Sequence, residues 1–214
     1  MAISDISLTS GMRSNLVSLQ STVELLNRTQ ERLASGKRVN SPLDNATNYF
    51  VAKSHMDRAE DLSVRKDGMG EAIQTVKSAN EGITAITDLI ASAKGIAQSA
   101  LSAGTTERST LATQYGAIRT QIDQLAEDSG YKGTNLLDTG TLEVKFNEDG
   151  TNTLSITGFD ASTSGLAIDA AAGSWASDAN INAAIADLDA ALTTLRSEAK
   201  TLSSNLNIIT TRDA

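Results

Sequence analysis

The chain has 214 residues, of which 21% are charged, 40% apolar and only 3% aromatic, and it carries a net charge of −8. That balance excludes both a chain too polar to fold and a membrane-embedded one, and the acidic excess argues against a grip on nucleic acid through phosphate neutralisation. The lack of cysteine removes disulfide frameworks, thiolate zinc sites and thiol catalysis, while the scarcity of rings favours narrow helical seams of Leu, Ile, Val and Ala over a rounded core.

The first twenty residues carry Asp5 and no continuous apolar run, so they do not read as a cleaved signal peptide. No stretch is long and apolar enough to cross a bilayer. Segment one, from about Ser4 to Gly36, is predicted helical. Leu16, Leu19, Val23, Leu26, Gln30 and Leu33 alternate by three and four, which is a heptad seam with one polar member. Before Leu16 the pattern thins to Ile3, Ile6, Leu8 and Met12. Gly36 is placed to stop the helix.

Ser35 to Pro42 mixes Gly, Asn, Ser and the single proline, and reads as a loop. Ser41 is the expected N-cap of the next helix, with Pro42 in its first turn. Segment two, Pro42 to about Ala103, would span about 90 Å if fully helical. Its seam is read as Met69, Ile73, Val76, Asn80, Ile83, Thr87, Ile90, Lys94, Ala97 and Leu101. Gly68, Gly70, Gly82 and Gly95 each cost up to about 1 kcal/mol in a helix interior, so they call for support from neighbours or mark close backbone approach. After a turn at 102–106, segment three runs from Glu107 to Ser129 with Leu111, Tyr115, Ile118, Ile122 and Leu125 in register, and Gly130 ends it.

From Thr141 the period becomes two. Leu142, Val144 and Phe146, a turn through Asp149-Gly150, then Leu154 and Ile156 predict a β-hairpin within 141–159. Residues 160–178 are rich in Ala, Ser, Gly and Asp and are expected to form an irregular surface excursion. Segment four, from Ser177 or Asp178, holds Ile181, Ile185, Leu188, Leu192, Leu195, Ala199, Leu202, Leu206 and Ile209 in an unbroken heptad up to the last residue, Ala214. A seam cut in mid-pattern leads to the expectation that the natural polypeptide continues by about 50 to 60 residues. The fold class expected is mainly α, an elongated antiparallel helical bundle or coiled coil with one small hairpin.

Chemistry of a catalytic kind is hard to assemble from these residues. His55 is the single histidine, so no second His or Cys can join it at a metal site, and as the one candidate base for a His-dependent triad it has no matching nucleophile motif. Glu60/Asp61 and Glu148/Asp149 are adjacent pairs, and neighbours on a helix do not face each other. Gly68-Met69-Gly70 follows no strand and opens no phosphate loop. Asn27 and Asn45 start Asn-x-Thr sequences that read as chance matches on helices. No catalytic residue, metal site or cofactor is expected, and the chain reads as a structural subunit that associates through its helices.

Leu33-Ala34-Ser35-Gly36-Lys37-Arg38-Val39-Asn40-Ser41, followed by Asp44-Asn45-Ala46, resembles the N-terminal signature of bacterial flagellins, a Leu-Ser-Ser-Gly-x-Arg-Ile-Asn-Ser run before an acidic and Ala segment. Ala79-Asn80-Glu81-Gly82 through Ala97-Gln98-Ser99-Ala100 is similar to the family's following helix. Tyr131-Lys132-Gly133-Thr134-Asn135-Leu136-Leu137 resembles the lead into its small hairpin.

The resemblance implies a subunit of the flagellar filament, extracellular and exported by the flagellar type III apparatus without a cleaved signal. It implies a homopolymer of flagellin copies, with the export apparatus and a filament chaperone as further partners, and neither nucleic acid nor membrane. By this likeness residues 1–42 form the inner-domain and spoke helix with its loop, carrying the coiled-coil seam Leu16, Leu19, Val23, Leu26 and Leu33. Residues 43–214 form a rod-like helical second domain whose seam includes Leu111, Ile118, Ile122, Leu125, Ile185, Leu188, Leu192, Leu195, Leu202 and Leu206. The large outer domains of longer relatives are absent, and so is the family's C-terminal inner helix. The chain by itself is therefore expected to polymerise poorly. Some flagellins are sensed by an innate immune receptor through an Arg-Glu-Leu cluster. The matching positions here are Lys94, Gly95 and Ile96, which lack the Arg fork and the carboxylate, so recognition is expected to be weak or absent. A hook–filament junction subunit is the alternative within the same organelle. A peptidase carried on this scaffold and a membrane-active or adhesive helical protein are the readings from other classes.

Overall fold

The structure is a computed structural model and describes residues 9–213. Ile3, Ile6 and Leu8, and Ala214, lie outside the described residues. Two compact units divide at Glu60 and Asp61. The first holds helix α1 (Ser10–Ser35) and the opening turns of α2 (Ala46–Leu101). The second holds the rest of α2, then α3 (Thr105–Asp128), strands β1 (Thr141–Lys145) and β2 (Thr153–Thr157), and α4 (Asp178–Asp213).

In the first unit Gly36 ends α1 with φ of 65°, a left-handed conformation in which a side chain would be strained. The start of α2 departs from expectation. Ser41 to Asp44 closes a turn, with the Asp44 N–H donating to the Ser41 carbonyl at 3.1 Å. The helix begins three residues after Leu43, and Asn45 caps it by accepting the Asn48 N–H on Oδ1 at 3.0 Å. Pro42 therefore sits inside the turn rather than in the first turn of a helix.

In the second unit α2, α3 and α4 share one apolar core. The buried stripe of α2 is Met69, Ala72, Val76, Ala79, Ile83, Ile86, Ile90, Ala93, Ala97 and Ala100. It keeps the three-four spacing, but at every second step it differs from the seam read in the sequence. Two heptad registers share half their positions, and size alone favours Ile73 and Leu101 over alanine. The structure puts alanine in the seam and leaves Asn80, Thr87 and Lys94 half-buried beside it, with the Thr87 hydroxyl donating to the Ile83 carbonyl at 2.8 Å and the Lys94 ammonium paired with Asp189. The same happens on α3. Ala112, Tyr115, Ile122 and Ala126 are buried, and Leu111, Ile118 and Leu125 flank them half-buried. On α4 Leu188, Leu195 and Leu202 are buried, while Ile185, Leu192 and Leu206 are half-buried.

Of the four glycines in α2, only Gly82 marks a close approach. A Cβ there would lie 2.7 Å from Leu137 Cδ1 and 2.8 Å from Ser129 Cβ. Gly68, Gly70 and Gly95 face open space. Beside this contact the Ser78 hydroxyl donates to the Ser129 carbonyl at 3.2 Å. The Asn135 amide donates to the carbonyls of Ala126 and Glu127 at 2.8 and 2.9 Å, closing the end of α3.

The hairpin forms as an antiparallel pair with Leu142 opposite Ile156 and Val144 opposite Leu154. Phe146 lies just past β1, and the Arg212 guanidinium stands 4.4 Å over its ring. The 160–178 stretch is not a surface excursion. Ala161, Thr163, Leu166, Ile168 and Trp175 are buried, because short side chains let the backbone lie against the helices while α3 satisfies its polar groups. Asp123 accepts the Thr163 N–H at 2.7 Å. Arg119 donates from Nε to the Ile168 carbonyl at 3.0 Å, and the Tyr115 hydroxyl donates to the Asp169 carbonyl at 3.2 Å.

Candidate assembly surface

Helix α1 has no buried residue along its 26 positions. Its heptad places Leu16, Leu19, Val23, Leu26 and Leu33 on one stripe, and these side chains range from 47% exposed at Leu16 to 84% at Leu33. Met12, Val17 and Leu25 widen the apolar surface. Two shallow grooves run along the stripe, one lined by Leu16, Leu19 and Val23 and the other by Leu25, Leu26 and Leu33. Each Leu fully buried by a partner contributes about 1.5–3 kcal/mol before the cost of association. The stripe is therefore a substantial exposed apolar surface.

The loop after α1 is held by one carboxylate. Asp44 accepts the Asn40 N–H at 3.2 Å and lies 3.6 Å from Arg28 Nε and 3.7 Å from Arg32 Nη2. The Asn40 N–H is the main influence holding the Asp44 carboxyl below the usual range; desolvation opposes it, and Ser41, Arg32 and Arg28 assist. The Ser35 hydroxyl donates to Asn40 Oδ1 at 2.9 Å. The Ser-Gly-Lys-Arg-Val-Asn motif is thus a fixed turn that directs α1.

The turn and the first turns of α2 expose more apolar surface than sequence reasoning assigned. Leu43 is 98% exposed, and Phe50, Val51 and Met56 stand out alongside it. The signal was available: the regular apolar spacing of α2 begins at Met69, and the large side chains before it follow no seam.

In the second unit Lys94 is half-buried and its ammonium pairs with Asp189 of α4. Gly95 is open, and Ile96 packs half-buried against the core. The three positions are adjacent but form no fork of donors. Among the described residues no group of three or more His, Cys, Asp or Glu could hold a metal ion, and no helix is long and apolar enough to cross a membrane.

Residues 3–141 match the family model described as the bacterial flagellin N-terminal helical region. All the quoted motif segments fall inside that stretch. The chain is 28% identical over 198 residues to Flagellin FljM of Caulobacter vibrioides, covering 91% of the chain and 72% of that protein. It is 29% identical over 154 residues to Flagellin FljO of the same organism, covering 70% of the chain and 56% of that protein. The chain thus spans about half to three quarters of the length of these relatives. Its fold resembles the crystal structure of Bacillus cereus flagellin, with a TM-score of 0.60 at 18% identity, over 69% of this chain and 87% of that one.

Proposed function

The chain belongs to the bacterial flagellin family, and from that premise we propose that it is a structural subunit of the extracellular flagellar filament. It assembles with other flagellin copies and has no enzymatic role. Residues 1–42 act as the inner-domain and spoke segment, and residues 43–214 act as the rod-like second domain. The observation that carries the reading is the α1 stripe, a regular helix with its whole heptad seam in solvent. A seam of this kind is stable in water when another apolar-seamed helix covers it. The exposed apolar side chains at the start of α2 support a second contact region in the same assembly.

Export without a cleaved leader, a filament chaperone as escort and weak innate immune recognition at Lys94, Gly95 and Ile96 belong to the same reading. The paired Lys94 and the bare Gly95 offer a receptor no free fork of donors.

The test is expression of the protein both in a strain lacking its other flagellins and in one that retains them, with gold-labelled antibody specific for the second unit of this chain. Labelling along the filament length supports the reading. Labelling confined to the base of the filament assigns the protein to the hook–filament junction, and absence from the organelle overturns both.

A further inference from the structure

The motif loop forms one side of a groove of about 670 Å³ whose other side is the start of α2. Lys37, Arg38 and Lys53 bring three cations to it, Asp57 is the one carboxylate among its lining residues, and Tyr49 and Met56 supply apolar surface. Among the described residues none of the three cations is engaged in an ion pair. Charge is divided unequally along the chain. Up to Glu60 there are seven Lys and Arg against six Asp and Glu, a net charge of +1; from Asp61 on there are eleven against twenty, a net charge of −9.

Within the acidic unit, the end of α3 concentrates negative charge. Glu127 and Asp128 are exposed and unpaired, and the last turn of α3 carries no basic residue. Carboxylates at a helix C-terminus add to the negative pole of the helix dipole and destabilise it. An incoming cation removes that repulsion.

We propose that the groove is an inter-subunit socket, in which Lys37, Arg38 and Lys53 of one copy receive the Glu127–Asp128 end of α3 from a second copy. The proposal rests on the filament reading and names the partner surface of the loop motif within it. Charge complementarity fixes which faces meet, while the α1 stripe supplies apolar association.

The test is charge reversal with rescue. Three forms of the protein are compared for filament yield by sedimentation and electron microscopy: R38E/K53E, E127K/D128K, and the two pairs combined. Each pair alone is expected to lower the yield at low salt by about tenfold or more, and the combined form to recover most of it. An equimolar mixture of the two single-pair forms should also assemble. Circular dichroism confirms that each form is folded. Equal yield from all forms overturns the socket while leaving the filament reading intact. Loss with R38E/K53E that E127K/D128K neither shares nor rescues also overturns it, since the groove then serves another occupant. Absence of the unaltered protein from filaments, both alone and mixed with other flagellin copies, overturns the reading on which the socket rests.

Discussion

The ring of Tyr115 on α3 lies 4.9 Å, centroid to centroid, from the ring of Trp175, tilted by 49°. Both side chains are fully buried. Trp175 reaches this position from a one-turn 3-10 helix, Ala172–Trp175, in which Gly173, Ser174 and Trp175 have φ of 53°, 48° and 58°. Left-handed backbone costs about 1–2 kcal/mol at a non-glycine residue, so ring burial holds this turn in place. Trp175→Ala is predicted to destabilise the second unit by about 3–5 kcal/mol, and Tyr115→Phe by about 1 kcal/mol through loss of the hydrogen bond to Asp169. Urea unfolding followed by circular dichroism measures both. Trp175 is the single tryptophan, so its fluorescence in the unaltered protein reports directly on docking of the 160–178 stretch.

Burial pushes the Tyr115 hydroxyl pKa up from 10.0 to about 12, with the Arg119 charge opposing and Asp187 and Asp169 assisting. The folded value lies above the unfolded one, so the stabilising contribution is complete below pH 10 and is lost as pH rises through 12. Thermal unfolding from pH 8 to 12 is predicted to show a fall in stability across that window that is smaller in Tyr115→Phe.

The glycines of α2 separate two effects. Gly82→Ala is predicted to destabilise the second unit, by about 1–3 kcal/mol, because the new methyl must displace Ser129 and Leu137. Gly95→Ala meets open space and is predicted to stabilise by about 0.5–1 kcal/mol through helix propensity. Chemical denaturation of the two variants side by side should give opposite signs.

The contrast between these glycines shows what sequence could reveal. Heptad spacing located all four helices and the change to period two located the hairpin, because those periods follow from backbone geometry. Spacing could not choose between overlapping heptad registers on α2. That choice depends on how closely the helices approach, and alanines at 72, 79 and 93 fill a seam where larger residues were expected. Composition misplaced the 160–178 stretch for a related reason. Its small residues suit an exposed loop and a tightly docked segment equally, and docking is decided by Arg119, Asp123 and Tyr115 some forty to fifty residues away. Pro42 pointed to the start of α2, but the Asn45 side chain sets it.

Asp44 gives the α1–α2 turn a pH dependence. Its pKa is lowered in the folded chain from the ordinary 3.8, so its contribution is present above that value and lost as pH falls through the folded one. Amide exchange at Asn40, taken relative to its intrinsic rate at each pH, is predicted to accelerate in acid over that range. In Asp44→Asn it should be fast at neutral pH, with the second unit unchanged in both cases.

If the α1 stripe is the surface covered on assembly, a probe placed on it loses access to solvent in the filament. The chain has no cysteine, so one introduced thiol reports without background. Leu26→Cys places it on the stripe, and Ser92→Cys places a control on the exposed face of α2. The measurement is the maleimide labelling rate of each variant as free subunit and in isolated filaments. Labelling is expected to be fast at both sites in the free subunit, with position 26 protected in the filament by about tenfold or more, a factor equivalent to about 1.4 kcal/mol. Equal labelling of position 26 in the two states, with the subunit present in the filament, would contradict it.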